Sequence, residues 1–283
     1  MLDRVSAAGF MSALLLAGAA HAGAQPLPLA PTRESGQTVT PVFEGWYKNP
    51  DGSYTLSFGY YNRNSREVLE IPVGPSNFLK PGLANRGQPA HFQPRRHWGV
   101  FGVRVPANFG EKQLLWWTLI VRGDTLSVPG SLKRGWEIDA IVGEADTGNQ
   151  PPVLKFEAAG PIGTGPAGIA AAKSLTAVVG QPIDVTVFAT DDGKASSGIA
   201  SPGRAGVPVT LTWFKHQGPG DVAFADNSPA VEASTGKATT AATFSAAGSY
   251  ILRVRANDAT GVAGAGHSQC CWTNGFVKVT VTR

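Results

Sequence analysis

Cysteine is almost missing from this chain. Its 283 residues hold two, adjacent at Cys270 and Cys271, so a disulfide framework of dispersed bridges is excluded. Charge is also sparse, at 16% of residues, and the Lys and Arg residues form no run or basic helix. Nucleic acid is therefore not an expected partner. Beyond the N-terminal leader no apolar run approaches the ~18 residues that a membrane-crossing helix needs. The chemical signatures are missing too: G-x-S-x-G, H-E-x-x-H, a phosphate-binding loop, EF-hand spacing and CxxC do not occur. The few carboxylates lie mostly in turn-like stretches, and no pair stands out for glycoside hydrolysis.

Turn formers and strand formers are abundant instead. Thirty-five Gly and 21 Pro accompany many Val, Thr and aromatic residues, which favours an all-β protein. The leader, residues 1–24, has Arg4 ahead of an apolar stretch and small residues at Ala22 and Ala24. It reads as a signal peptide cleaved before Gln25, with a cut after Ala22 as the second choice, and export follows. Residues 25–41 are Pro-rich and lack periodicity, so they read as a flexible lead-in. The remainder suffices for two domains of roughly 100 residues each. The net charge of +4 sits in the N-terminal half, where residues 1–142 carry 14 Lys and Arg against 10 Asp and Glu.

Residues 42–142 predict an N-terminal β-sandwich. Asn49-Pro50-Asp51-Gly52 is a hairpin turn, followed by Tyr54, Leu56, Phe58 and Tyr60 alternating with Thr55, Ser57, Gly59 and Tyr61. Further strands are expected at 67–73, 98–105, 113–121, 125–128 and 135–142, with a tight turn at Arg122-Gly123-Asp124. Residues 74–96 show no period and read as one long loop, a kind of segment that in compact domains tends to be functional or disordered. Residues 143–172 read as the linker, with 153–156 able to pair as an edge strand.

Residues 173–283 thread onto an immunoglobulin-like sandwich. Ile183, Val185, Val187 and Ala189 share a face of a B strand, and Val209, Leu211 and Trp213 that of a C strand. Phe244 closes an E strand. Tyr250, Leu252, Val254 and Ala256 line an F strand, and Val277, Val279 and Val281 a G strand. Trp213 stands where such folds carry a core Trp, and Tyr250 where they carry a tyrosine corner. The run W-F-K-H-Q-G-P-G-D-V-A-F, followed by A-T-F-S-A-A-G-S-Y-I-L-R-V-R-A-N-D, resembles the polycystic-kidney-disease (PKD) type of immunoglobulin-like module over about 174–283. The resemblance implies a non-catalytic domain of exported multidomain proteins, used in adhesion, spacing or polysaccharide contact. The W-D-F-G-D-G turn common in that family is replaced here by Phe214-Lys215-His216-Gln217-Gly218-Pro219-Gly220. The N-terminal half resembles no known family.

Four groups of residues are candidates for function. His91, Arg95, Arg96, His97 and Trp98 cluster at the end of the long loop, where Arg forks suit anions and His with Trp suits a sugar; the alternative is a solvated loop that packs Trp98 inward. Two His without a third ligand make a poor zinc site. Asp191 and Asp192 end the B strand and Asp258 ends the F strand, at the same end of a sandwich, where they would hold calcium or simply make turns. No other cofactor is expected. Cys270 and Cys271 would form a vicinal disulfide, remain thiols, or pair with a metal or another chain. Adjacent Cα atoms lie about 3.8 Å apart, below the usual ~4.4–6.8 Å, so a bridge would be strained. If formed, it would stiffen the F–G loop and present Trp272. The aromatic pairs Trp46-Tyr47, Tyr60-Tyr61 and Trp116-Trp117 lie on strands, so each should send one ring inward and one outward; outward rings would suit sugar stacking, inward ones a β core.

These readings converge on an exported, non-catalytic binding or structural protein of the periplasm, the cell surface or the medium. Its expected partner is a polysaccharide or another envelope protein. A carbohydrate-binding module or an accessory subunit of an envelope enzyme complex is the alternative, and an enzyme in its own right the least favoured.

Overall fold

The computed structural model describes residues 33–138, 149–193, 209–258 and 272–283. The leader, most of the lead-in and Cys270-Cys271 lie outside the described residues. Thr32–Arg283 forms one compact unit containing two separate hydrophobic cores. All of its sheets are β, and both halves are sandwiches, as the alternation predicts.

The first sandwich stacks two three-stranded sheets. One has the order β1 (Val39–Lys48), β2 (Tyr54–Asn62), β6 (Arg95–Val105), and the other β4 (Asn77–Lys80), β7 (Leu115–Val121), β8 (Asp124–Gly130). A small ribbon pairs β3 (Leu69–Glu70) with β5 (His91–Phe92). Period-2 alternation puts Leu56, Phe58, Phe101 and Val103 on one face of the first sheet, against Leu79, Leu115, Trp117 and Leu119 of the second. Phe101 meets Trp117 edge-on at 5.0 Å between ring centroids.

Three expectations change here. The segment 74–96 is no simple loop, because buried Asn77 organises it. The Asn77 amide donates to the carbonyls of Ile71 (2.9 Å) and Pro89 (2.7 Å), and its oxygen accepts from Trp117 Nε1 at 3.0 Å. The strand expected at 67–73 shrinks to β3. In place of a strand from 135, a 3₁₀ turn at Arg134–Trp136 sets Trp136 against Phe43, with ring centroids 5.6 Å apart; residues 139–142 lie outside the described residues.

The second sandwich joins two larger sheets. One runs β10 (Ile169–Ala170), β17 (Trp272–Thr282), β16 (Gly248–Asn257), β13 (Thr210–Gln217), with β11 (Leu175–Val178) also parallel to β17; the other runs β14 (Val222–Phe224), β15 (Lys237–Phe244), β12 (Ile183–Thr190), β9 (Val153–Lys155). The B, C, E, F and G strands read from the sequence are β12, β13, β15, β16 and β17. Val185, Val187, Leu211, Trp213, Leu252 and Val254 fill the core between the sheets. The stretch 143–172 is, over its described part, built into this sandwich: β9 extends one sheet as an edge strand and β10 the other.

Tyr250 ties the turn before β16 to the turn after β13. Its hydroxyl donates to the Ala246 carbonyl (2.7 Å) and accepts from the Gly220 amide (3.0 Å). Replacing Tyr250 with Phe leaves that amide without its acceptor. The variant should lose about 1–3 kcal/mol of stability in urea denaturation with an unchanged m-value.

Candidate functional site

The cluster predicted at 91–98 lies in a seam between the two sandwiches. The seam exists because the second face of sheet β1-β2-β6 is also covered. Thr55 and Ser57 on that face are buried, although the alternation alone marks it as an outer surface. Small residues let the other lobe come close. Gly99 holds φ at +42°, and a Cβ there would run into the Trp272 indole. Trp272 Nε1 and Asn274 Nδ2 both donate to the Gly99 carbonyl, at 3.3 and 2.7 Å.

A second row of contacts comes from β13. The Ala90 amide donates to the His216 carbonyl at 2.8 Å, and His216 Nε2–H donates to Gly87 O at 2.8 Å. Lys215 Nζ reaches Glu70 Oε1 at 2.8 Å, and His91 Nδ1–H donates to the same oxygen at 2.6 Å. Beside them Arg96 Nη2 donates to buried Glu44 Oε1 at 2.6 Å, while its guanidinium lies 3.8 Å over the Trp98 ring.

Burial governs the electrostatics of the seam. It pushes His97 and His216 down to about 3, with Arg253 adding to the effect on both. Both rings are therefore neutral at pH 7. His97 stacks on Tyr60, 4.8 Å between centroids, and its Nε2–H donates to Pro94 O at 3.1 Å. Burial and neighbouring Arg255 hold Arg253 down to about 9. Its guanidinium sits 4.4 Å over Phe214, and Nη1 donates to Asn274 Oδ1 at 3.2 Å. Burial also raises the Glu44 carboxyl despite Arg96 beside it.

The predicted residues therefore divide. His91, Arg96, His97 and Trp98 come together beside the seam: His91 shares Glu70 with Lys215 of the other lobe and His97 meets Phe214 of that lobe, while Arg96 bonds Glu44 and covers Trp98 within the first lobe. Arg95 is exposed, with φ at +73°, and points into none of these contacts. Trp272 is a correction: it opens β17 as a fully buried side chain, because Gly99 leaves space for its ring. A second correction concerns the aromatic pairs. Tyr60-Tyr61 and Trp116-Trp117 split as expected, but Trp46 and Tyr47 are both buried, since both faces of their sheet are covered. The Tyr47 hydroxyl accepts from the Ala167 amide at 3.2 Å.

Where β12 and β16 end, Asp258 is buried and accepts from Asn149 Nδ2 at 2.8 Å; Asp191 is half-buried and Asp192 exposed. Burial, then the charges of Asp258 and Asp192, raise Asp191 to about 6, against a bond from the Gly193 amide. Among the described residues no group of three or more His, Cys, Asp or Glu is placed to hold a metal ion.

One surface escaped the sequence reading as a unit: the outer face of β4-β7-β8. Trp116, 41% exposed, lies between Lys80 and Pro129 on the neighbouring strands; Thr118 lies between Phe78 and Ser127; Ile120, 38% exposed, lies beside Thr125. Lys80 Nζ sits 4.9 Å from the Phe78 ring centroid, and the Thr118 and Ser127 hydroxyls bond at 2.8 Å. Pairing register alone makes this face, and register was not visible while 74–96 read as a loop.

No protein-family model and no curated protein matches the sequence. Among solved structures, the chain is similar to the D00-D0 domain of intimin (12% identity, TM-score 0.27, 86% of this chain and 100% of that one). It is similar to the Yersinia pseudotuberculosis adhesin InvE (13%, 0.27, 87% and 58%) and to domains 4 and 5 of the S-layer protein SbsC (10%, 0.25, 65% and 71%). Superpositions this loose carry no functional argument, and the architecture rests on the strands described above.

Two outcomes test the electrostatics. A His whose folded pKa is depressed gives stability at neutral pH that is lost on acidification, because the unfolded chain takes the proton first. Stability should therefore fall between about pH 6.5 and 3, by up to about 1.4 kcal/mol per pH unit for each of His97 and His216. Urea midpoints for the His216→Gln variant should show a shallower slope than the parent. Asp191 has the opposite sign: its raised pKa costs stability that builds as pH rises from about 3.8 to about 6 and persists above it. Asp191→Asn should raise the melting temperature most at pH 7, less at pH 5, and match the parent only below about pH 3.8, by scanning calorimetry.

Proposed function

We propose that this chain is a non-catalytic, exported protein that binds and supports at the cell surface or in the periplasm, and that it contacts a polysaccharide through the outer face of β4-β7-β8. The observation that carries this reading is the division of labour among side chains. The groups best suited to chemistry are already committed: Lys215 bonds Glu70 across the seam, His216 gives its N–H to the Gly87 carbonyl there, His97 gives its own to the Pro94 carbonyl, and Arg96 pairs with Glu44 within the first lobe. Trp116 is left outward on a sheet face beside Pro129, half-buried Phe78 and exposed Ser127, whose hydroxyl bonds that of buried Thr118. A solvated sheet face ordinarily carries many charges, and large exposed apolar patches mark interaction sites. Here Lys80 is the one charge among the outward-facing paired positions, and its ammonium already lies against Phe78. Such a face suits a neutral, hydroxylated polymer whose sugar rings stack on the Trp116 indole and whose hydroxyls meet exposed Ser127. The seam supports the mechanical half of the reading, since it joins two sandwiches into a stiff body. The second sandwich is read as a PKD-type module serving as the spacer.

Pull-down on insoluble cellulose, chitin and peptidoglycan tests the proposal. The parent should be retained on at least one of them. Trp116→Ala should weaken retention about tenfold, as loss of an aromatic stack worth about 1.4 kcal/mol requires, with its melting temperature unchanged. No retention of the parent on any polymer, or equal retention of the variant, would sink the reading.

A further inference from the structure

A cleft of about 540 Å³ opens on the side of the second sandwich, between the edge strand β13 of one sheet and the edge strand β14 of the other. His91 and Gln93 of the first lobe close one end of it. Three features of its walls belong together. The first is backbone. The Trp213 amide points away from β16, because it donates to the Asn227 carbonyl at 2.7 Å. In an antiparallel ladder such outward positions recur every second residue, so Lys215, the next one before the bulge, also turns its amide outward. Asn227 covers one end of this edge and Ala90, bonded to the His216 carbonyl, covers the other. Between them the Trp213 carbonyl and the Lys215 amide face the cleft, with no partner among the described residues.

The second feature is apolar. Phe224, half-buried, stacks at 6.1 Å on Trp213, whose buried indole N–H also lacks an acceptor among the described residues. The third is charge. Asp221 and Asp226 line the cleft with exposed carboxylates, while its one cation, Lys215, is already bonded to Glu70. The cleft is thus locally acidic in a chain whose net charge is +4.

We infer that this cleft docks an extended segment of another polypeptide carrying a lysine or arginine side chain. The segment adds beside β13. In a parallel alignment a single residue donates to the Trp213 carbonyl and accepts from the Lys215 amide, which is the bond pattern of an added strand. Its basic side chain lies between Asp221 and Asp226, and its aliphatic stem lies on Phe224. Charge selects the side chain, and the exposed edge selects the extended backbone. The inference uses a different surface from the polysaccharide face and does not rest on it.

Fluorescence anisotropy with labelled heptapeptides of alternating Thr and Val tests it. One peptide has a central Lys, a second a central Glu, and two further Lys peptides carry N-methyl groups along one or the other edge. The Lys peptide should bind at least tenfold more tightly than the Glu peptide. Methylation of one edge should remove binding, and methylation of the other should leave it. The double variant D221N/D226N keeps the turn that Asp226 makes with the Ser228 amide, and it should erase the preference for Lys over Glu. Equal affinity for the Lys and Glu peptides, tolerance of methylation on both edges, or displacement of the Lys peptide by chitotetraose would overturn the inference. So would a failure of every peptide to bind below about 1 mM.

Discussion

Close approach across the second face of sheet β1-β2-β6 is the constraint from which the rest of the architecture follows. A three-stranded sheet covered on one side only would leave a solvated outer face, and that face would need polar side chains. Here it carries Thr55, Ser57, Gly59 and Gly99, residues too small to hold a partner at the usual ~10 Å between stacked layers. The second lobe therefore comes close enough for Trp272 and Asn274 to bond the Gly99 carbonyl directly. This proximity makes one unit of two sandwiches that have separate cores.

The same proximity determines the chemistry of the seam. Groups that would be solvated at a looser interface are dehydrated, and each must find a partner or lose its charge. Arg96 and Glu44 pair. Glu70 collects both Lys215 and His91. His97 and His216 stay neutral and spend their N–H groups on backbone carbonyls. Arg253 keeps its charge against the face of Phe214, with one amide oxygen as its hydrogen-bond partner. Contacts of this kind contribute less to net stability than to uniqueness, because any other docking of the lobes would strand a buried charge.

Much of the second lobe is legible in the sequence. Its strands alternate strictly, its turns carry Gly and Pro, and Tyr250 sits where a corner needs a hydroxyl. The first lobe was legible only where both signals were strong, as at the hairpin through Asn49-Pro50-Asp51-Gly52 and at β7-β8. It misled where a buried polar side chain replaced periodicity. Asn77 organises 74–96 through three hydrogen bonds, and no pattern in the sequence marks an Asn as buried. The cluster at 91–98 was found by residue type, yet its role depended on what lies opposite, and the residues opposite are well over a hundred positions away, as the bond between Gly99 and Trp272 shows.

The amino-acid order by itself determined that the chain is all-β, where the second sandwich lies and which side chains fill its core. Those properties depend on local periodicity and on hydrophobic burial, which act within a strand and its immediate neighbours. Tertiary structure alone decided that the first sheet is covered on both faces, that Trp272 is inside and that Trp116 is outside. Burial of a side chain on a two-faced sheet depends on what a distant segment lays upon it, and no local spacing encodes that.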